Sequence, residues 1–167
     1  MKIFHIINGL VDCGAEHTLF NMCKYDINNK HIVISFKKYG KYVSLLNNLV
    51  VKVYCLDANF FSIYKFLFLI KLLRSLKPDI VQTWLVHADF IGSIDARLEN
   101  IKHIVWNVRY SKIEIGKSKF KTILIIKILA KLSYILPKLI IIVSKRAKRI
   151  YEFIGYDKKK LKFIPNG

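Results

Sequence analysis

Residues 138–164 read KLIIIVSKRAKRIYEFIGYDKKKLKFI, and the order of residue types in this stretch decides the architecture. KLIIIV (138–143) is a continuous apolar run without alternation, as expected of a parallel strand covered on both faces. Ser144 follows it and has the side chain of a helix N-cap. A helix is predicted over 145–155, with Gly155 at its C′ position. LKFI (161–164) then reads as a short last strand.

Working outward, the same alternation fills the chain. Strands are predicted at KIFHII (2–7), HIVISF (31–36), VVKVYC (50–55), DIVQTW (79–84) and HIVWNV (103–108). Helical stretches lie between them at 14–26, 40–48, 60–76, 87–98 and 118–133. Pro78 and Asp79 stop the third helix and open a strand. Alternating strands and helices predict an α/β, Rossmann-like three-layer domain with a mainly parallel sheet. In such sheets ligands bind at the carboxyl ends of the strands, so the residues following each strand are the ones to weigh.

The 167 residues are one domain's worth of chain, and 53% hydrophobic content excludes disorder and collagen-like or low-complexity classes. The charge is lopsided. Residues 1–100 hold 12 basic and 8 acidic residues, whereas residues 101–167 hold 17 and 3. Such a field favours anionic partners. Three cysteines without metal-ligand spacing point to a reduced, cytoplasmic chain, and no metal is expected. The N-terminus lacks a signal-peptide core, and runs such as FLFLI (66–70) fall far short of the ~20 residues a membrane span needs.

The first strand leads into Asn8-Gly9-Leu10-Val11-Asp12-Cys13-Gly14-Ala15-Glu16. Glycine there admits close backbone approach, and the helix start offers free N–H groups to an anion. Gly9 and Gly14 have P-loop spacing, but Ala15 stands where that loop has lysine, and the dinucleotide fingerprint G-x-G-x-x-G is absent. A plain strand-to-helix turn, with Glu16 as a first-turn dipole residue, accounts for the stretch equally well. The fourth strand ends in Trp84, followed by His87 and Asp89, which place an imidazole beside a carboxyl at a strand's end. Arg109, after the fifth strand, has the fork that grips phosphate or carboxylate, or is a solvated surface arginine. Cys13 near a helix start has the setting of a reactive thiol, but a small buried cysteine is the commoner case.

Two helices are both apolar and basic. On the 118–133 helix, Lys117, Lys121, Lys127 and Lys131 share one arc while isoleucine and leucine fill most of the rest; FFSIYKFLFLIKLLRSL (60–76) is similar in kind. Such helices lie on an anionic membrane surface, or cover a sheet with their lysines snorkelling to water.

Read together, these segments resemble the amino-terminal domain of the glycosyltransferase family 4 enzymes, which have the GT-B fold. Cys13-Gly14-Ala15-Glu16 looks like the family's Gly-Gly-Ala-Glu loop, with Cys13 in place of a glycine. Lys77-Pro78-Asp79-Ile80-Val81 looks like its Lys-Pro-Asp-hydrophobic-Val strand opening, and DIVQTWLVHADFIG (79–92) is similar to a bacterial branch. IIIVSKRAKRIYEFIGYDKKKLKFIPNG (140–167) matches the family's strand, Ser, helix and Pro-Asn-Gly ending.

The resemblance implies a retaining, hexosyltransferase-type enzyme that takes sugar from a nucleotide-sugar donor without a cofactor or bound metal. Its acceptor would be a cell-surface polysaccharide or lipid-linked saccharide, as in lipopolysaccharide biosynthesis. Gly14, Ala15 and Glu16 would face the donor phosphates. Trp84, His87, Asp89, Arg109 and Ser144 would line the acceptor side, although many relatives have histidine at the position of Arg109. Residues 1–167 would be the acceptor-side domain, with the carboxy-terminal donor-binding domain absent, supplied in cis or trans, and little activity without it. The expected location is cytoplasmic, peripheral at the inner face of the plasma membrane. The alternative reading is a noncatalytic basic α/β module docking on anionic membrane or another anionic partner. Nucleic acid is not expected, since no helix-turn-helix, RNP or zinc pattern occurs.

Overall fold

The computed structural model describes residues 1–38, 40–56, 63–109 and 120–165. The first residues of the predicted helices at 60–76 and 118–133, Lys117, and Asn166-Gly167 of the terminal Pro-Asn-Gly lie outside that range.

Among the described residues, seven strands and six helices alternate along the chain. They are β1 (Lys2–Ile7), α1 (Gly14–Tyr25), β2 (Lys30–Ser35), α2 (Lys41–Asn48), β3 (Lys52–Cys55), α3 (Ile63–Leu76) and β4 (Ile80–Trp84). Then come α4 (Val86–Leu98), β5 (Ile104–Val108), α5 (Phe120–Leu132), β6 (Leu139–Ile142), α6 (Lys145–Ile154) and β7 (Leu161–Phe163). They form one sheet in the order β3-β2-β1-β4-β5-β6-β7. Every pairing among the described strands is parallel, in keeping with the predicted mainly parallel sheet.

The registers fix which side chains share a face. Ile3 pairs with His31 and Ile80, His5 with Val33 and Gln82, and Ile7 with Ser35 and Trp84. These residues face α1 and α2, together with Leu19, Cys23, Tyr42 and Leu46. Phe4, Ile6, Ile32, Ile34, Val81, Ile104, Trp106 and Ile140 face the other way, into the larger core packed against α3–α6. Strand alternation thus sorts one sheet into two unlike faces.

The predicted punctuation has clear physical form. The Ser144 hydroxyl accepts from Ala147 N at 3.0 Å, and Gly155 ends α6 at φ 104°, in the left-handed region. The Asp79 carboxylate accepts from Lys2 N at 2.6 Å, fastening the start of β4 to the start of β1. Gly40 lies so close to the loop after β1 that a Cβ there would stand 2.1 Å from the Leu10 carbonyl oxygen. No described helix is long and apolar enough to cross a membrane.

Candidate active-site cleft

The strand order reverses between β1 and β4. β1 feeds leftward to β2 and β3, and the chain returns at β4 to build rightward. At that switch point the connections leave to opposite faces and a crevice opens at the strand ends. Asn8 after β1 and His87 in the first turn of α4 meet across it, Asn8 Nδ2 and His87 Nδ1 standing 3.3 Å apart. Burial lowers the His87 pKa, which favours the neutral ring. Leu85, which links β4 to α4, sits at φ 73°, a strained conformation for a branched residue. That turn aims the start of α4, and His87 with it, at the crevice.

Arg109 follows β5 and leans toward α1. Its guanidinium lies 5.2 Å from the centre of the Trp84 ring, and Nη1 donates to Thr18 Oγ1 at 3.2 Å. The Thr18 hydroxyl in turn donates to Gly14 O at 2.9 Å. Burial lowers the Arg109 pKa, and a guanidinium in a protein is not deprotonated, so the group is a cation. The structure therefore brings a fixed cation to the first turns of α1. Cys13 caps that helix without a side-chain hydrogen bond, and a Cβ on Gly14 would meet nothing within 4 Å. Open space over a helix N-terminus suits an anion.

Glu16 differs from its neighbours in the loop. It is 3% exposed, and its Oε2 has no hydrogen-bond partner among the described residues. Burial raises its pKa, as does Asp12; its own backbone N–H and Lys37 act in the opposite sense. Glu16 lies under the loop, while Gly14 is at its surface.

Three other predicted residues lie at or just after strand ends, with their polar groups engaged by the fold itself. Asp89 is 1% exposed and accepts a 2.6 Å hydrogen bond from the Thr83 hydroxyl, so it anchors α4 to β4 beneath the cleft. Its burial pushes its carboxyl pKa well up, with the Thr83 hydrogen bond pulling it down. Ser144 uses its oxygen as the cap of α6. Trp84 is wholly buried and forms the floor under Arg109 rather than an exposed wall.

Under that floor runs a polar chain that the sequence did not disclose. Trp84 Nε1–H donates to His5 Nδ1 at 3.3 Å, and His5 Nε2 lies 2.9 Å from His31 Nδ1. His31 Nε2 reaches Asp26 O at 3.2 Å and Asp26 Oδ2 at 3.4 Å. One proton arrangement satisfies all of it: His5 carries its proton on Nε2 and gives it to His31 Nδ1, and His31 gives its own to Asp26. Burial, with His31 adding to it, lowers the His5 pKa to about 3, so that ring stays neutral.

Cys23 stands beside the two rings, and one ligand atom from each of His5, Cys23 and His31 lies within 4.8 Å of the others. Metal ligation through His5 Nε2 would move its proton to Nδ1, donor against donor with Trp84. Burial also pushes the Cys23 thiol up to about 12, away from the thiolate a metal needs. The hydrogen bonds account for the cluster better than a metal does. Cys13 is exposed and has its thiol free, as are the other two thiols.

An all-parallel Rossmann-like sheet with its crevice at the β1/β4 switch point, an uncapped helix start and a neighbouring arginine defines one half of a GT-B fold. The family model described as Glycosyltransferase Family 4 matches residues 3–167, and the chain belongs to that family. Among solved structures it is similar to Anabaena HepE in complex with UDP and glucose, at 19% identity and a TM-score of 0.80 over 100% of this chain and 44% of that one. A glycosyltransferase from Rickettsia africae ESF-5 is 18% identical, with a TM-score of 0.71 over 99% of this chain and 43% of that one. The lipopolysaccharide outer core galactosyltransferase WaaB, in its apo form, is 13% identical, with a TM-score of 0.66 over 99% of this chain and 46% of that one. This chain thus spans less than half the length of each. No curated protein matches it.

Proposed function

We propose that residues 1–167 are the acceptor-side domain of a retaining glycosyltransferase. The enzyme would move a sugar from a nucleotide-sugar donor to a cell-surface polysaccharide or lipid-linked saccharide, working in the cytoplasm at the inner face of the plasma membrane. The observation that carries this reading is the joint placement of the α1 start and Arg109 at the switch-point crevice. Helix-terminus N–H groups at Gly14 and Ala15 would meet the donor diphosphate, where negative charge builds as the sugar leaves. Asn8 and His87 offer neutral hydrogen-bonding groups on the facing side, suited to sugar hydroxyls. A second domain, in cis or in trans, would grip the nucleotide. The likeness to HepE bound to UDP and glucose supports the donor class, and the likeness to WaaB supports the acceptor class.

The test is transfer from a panel of radiolabelled nucleotide sugars to lipid and polysaccharide extracts. The purified 167-residue chain should give little or no turnover alone, and adding a donor-binding domain should restore it. Robust turnover by the chain alone would overturn the division of labour. Restored activity that survives Arg109→Ala with unchanged kcat and KM would overturn the placement of the site.

A further inference from the structure

The polar chain beneath the cleft has two ends of unlike character. At one end Trp84 Nε1–H donates to His5 Nδ1 at 3.3 Å, with the Arg109 guanidinium 5.2 Å from the centre of the same indole. At the other end, by the start of β2, His31 Nε2 stands 3.4 Å from Asp26 Oδ2. The Asp26 side chain is 32% exposed and that of His31 2%, so a proton from water enters at this end.

Between the ends, the polarity of the hydrogen bonds leaves no slack. Each ring nitrogen of a neutral histidine is either a donor or an acceptor. With His31 neutral, its Nδ1 accepts from His5 Nε2–H across 2.9 Å, which leaves His5 Nδ1 bare to accept from Trp84. With His31 protonated, both of its nitrogens carry hydrogen. Its Nδ1–H then confronts His5 Nε2–H, and the contact is restored when His5 carries its proton on Nδ1 instead. That proton points at Trp84 Nε1–H, donor against donor, and the indole loses its acceptor. One proton is taken up: the two ring N–H hydrogens of the pair become three, two on His31 and one on His5. His5 stays neutral in both arrangements, in keeping with the lowering of its pKa to about 3 by burial and by His31.

The groups around His31 suit a charge there. In the turn before β2, the Asp26 carboxylate balances it and is itself held by Asn29 Nδ2, at 2.8 Å to each oxygen. The Met1 ammonium ahead of β1 is bound to Asn29 Oδ1 at 3.0 Å. Cys23, from α1, adds no charge, since burial pushes its thiol up to about 12. α2 and β3 carry one lysine each, both exposed and engaged elsewhere, Lys41 with Asp12 and Lys52 over the Tyr54 ring.

We propose that His31, His5 and Trp84 form a proton-driven switch, in which a proton taken up beside Asp26 breaks the indole hydrogen bond under Arg109. Acid thereby loosens the floor on which the cleft's cation rests. The switch stands or falls on the indole itself, independently of whether the chain serves sugar transfer.

The two tryptophans make the test internal. Trp106 Nε1 donates to Ser93 Oγ at 2.6 Å on the other face of the sheet and shares none of these groups. Both indole N–H resonances of the nitrogen-15-labelled chain are followed by NMR from about pH 8 to about pH 5, together with the His31 ring protons. The Trp84 indole proton should move upfield on a one-proton curve with the midpoint of His31, while Trp106 stays in place. His31→Asn puts an amide oxygen where Nδ1 stood, accepts from His5 at every pH, and should hold the Trp84 resonance still. His5→Asn keeps an acceptor for the indole and cuts the link, so His31 should titrate without Trp84 following. A Trp84 resonance that stays still while His31 titrates, or that moves equally in His31→Asn or His5→Asn, would overturn the proposal. So would a His31 that takes up no proton before the chain unfolds, or joint movement of both indoles, which reports loosening of the whole sheet. Where a variant does not fold, the comparison of Trp84 with Trp106 in the unsubstituted chain still decides.

Discussion

The two faces of this sheet solve the same problem with different chemistry. Against α3–α6 the strands present aliphatic residues and Trp106, whose indole N–H is satisfied locally by Ser93 Oγ at 2.6 Å. Against α1 and α2 they present Gln82 and, among apolar neighbours, Trp84, His5 and His31 joined end to end. The aliphatic face gains its stability from area removed from water and tolerates local adjustment. The polar face depends on every partner being present, because each orphaned buried group costs its full desolvation. The Trp84 ring and the Arg109 guanidinium above it stand on the polar face. The proposed anion site thus sits on the side where geometry is prescribed by hydrogen bonds, and bulk stability sits on the other.

The comparison can be broken most forcefully at Trp106. Trp106→Ala should lower the unfolding free energy by about 3–5 kcal/mol, measured by urea denaturation, since a fully buried indole leaves a cavity that the sheet cannot fill.

Next comes pH, where the faces should oppose one another. His5 titrates at about 3 in the folded chain and near 6.5 when unfolded. Between those values the unfolded chain binds a proton that the folded chain refuses. Stability is therefore full above pH ~6.5 and falls as pH drops toward 3, by about 3–5 kcal/mol. Asp95 on α4 behaves in the opposite sense. It is wholly buried with both oxygens unpartnered among the described residues, and burial raises its pKa to about 8. The folded chain keeps a proton there that the unfolded chain gives up, so this contribution is full below the ordinary carboxylate pKa and is lost as pH rises toward 8. Asp95→Ala should raise stability at pH 8 by about 1–3 kcal/mol and flatten the alkaline limb of the profile. An unchanged thermal midpoint at that pH would contradict the burial argument.

The smallest expected effect is at the cleft. Thr18→Val removes one hydroxyl that accepts from Arg109, which should cost about 1 kcal/mol in denaturant and give partial release of the guanidinium over Trp84. Weaker quenching of Trp84 fluorescence by iodide would count against that release, since a displaced guanidinium exposes the ring.

The layers were legible in the sequence because β-branched runs, Ser144, Gly155 and Pro78-Asp79 each carry a local cause for a strand, a cap or a stop. The crevice position was legible too, from strand ends alone. Side-chain direction was not. Asp89 lies one helical turn into α4, and whether it faces the cleft or Thr83 is decided by how α4 rolls on the sheet. That roll is set partly by Gly92, where a Cβ would stand 2.9 Å from Ile6 Cδ1. The His5–His31 pair was hidden for a different reason. The two residues lie on neighbouring strands, and their contact requires the register that aligns Ile3 with His31. Nothing local in either strand fixes it. The basic field was visible as arithmetic.

The central position of β1 carries a consequence for synthesis. Its hydrogen-bonding partners are β2, which follows closely, and β4, whose Ile80 pairs with Ile3. A nascent chain therefore holds one edge of its first strand open until Ile80–Trp84 have left the ribosome. During that interval His5 is half-caged: His31 is at hand and Trp84 has not yet been made. Long-range parallel pairing is slow to close and exposes strand edges meanwhile. Completion of the cleft floor and closure of that edge are the same event, so a nascent domain that has protected its first strand has also seated the indole beneath Arg109.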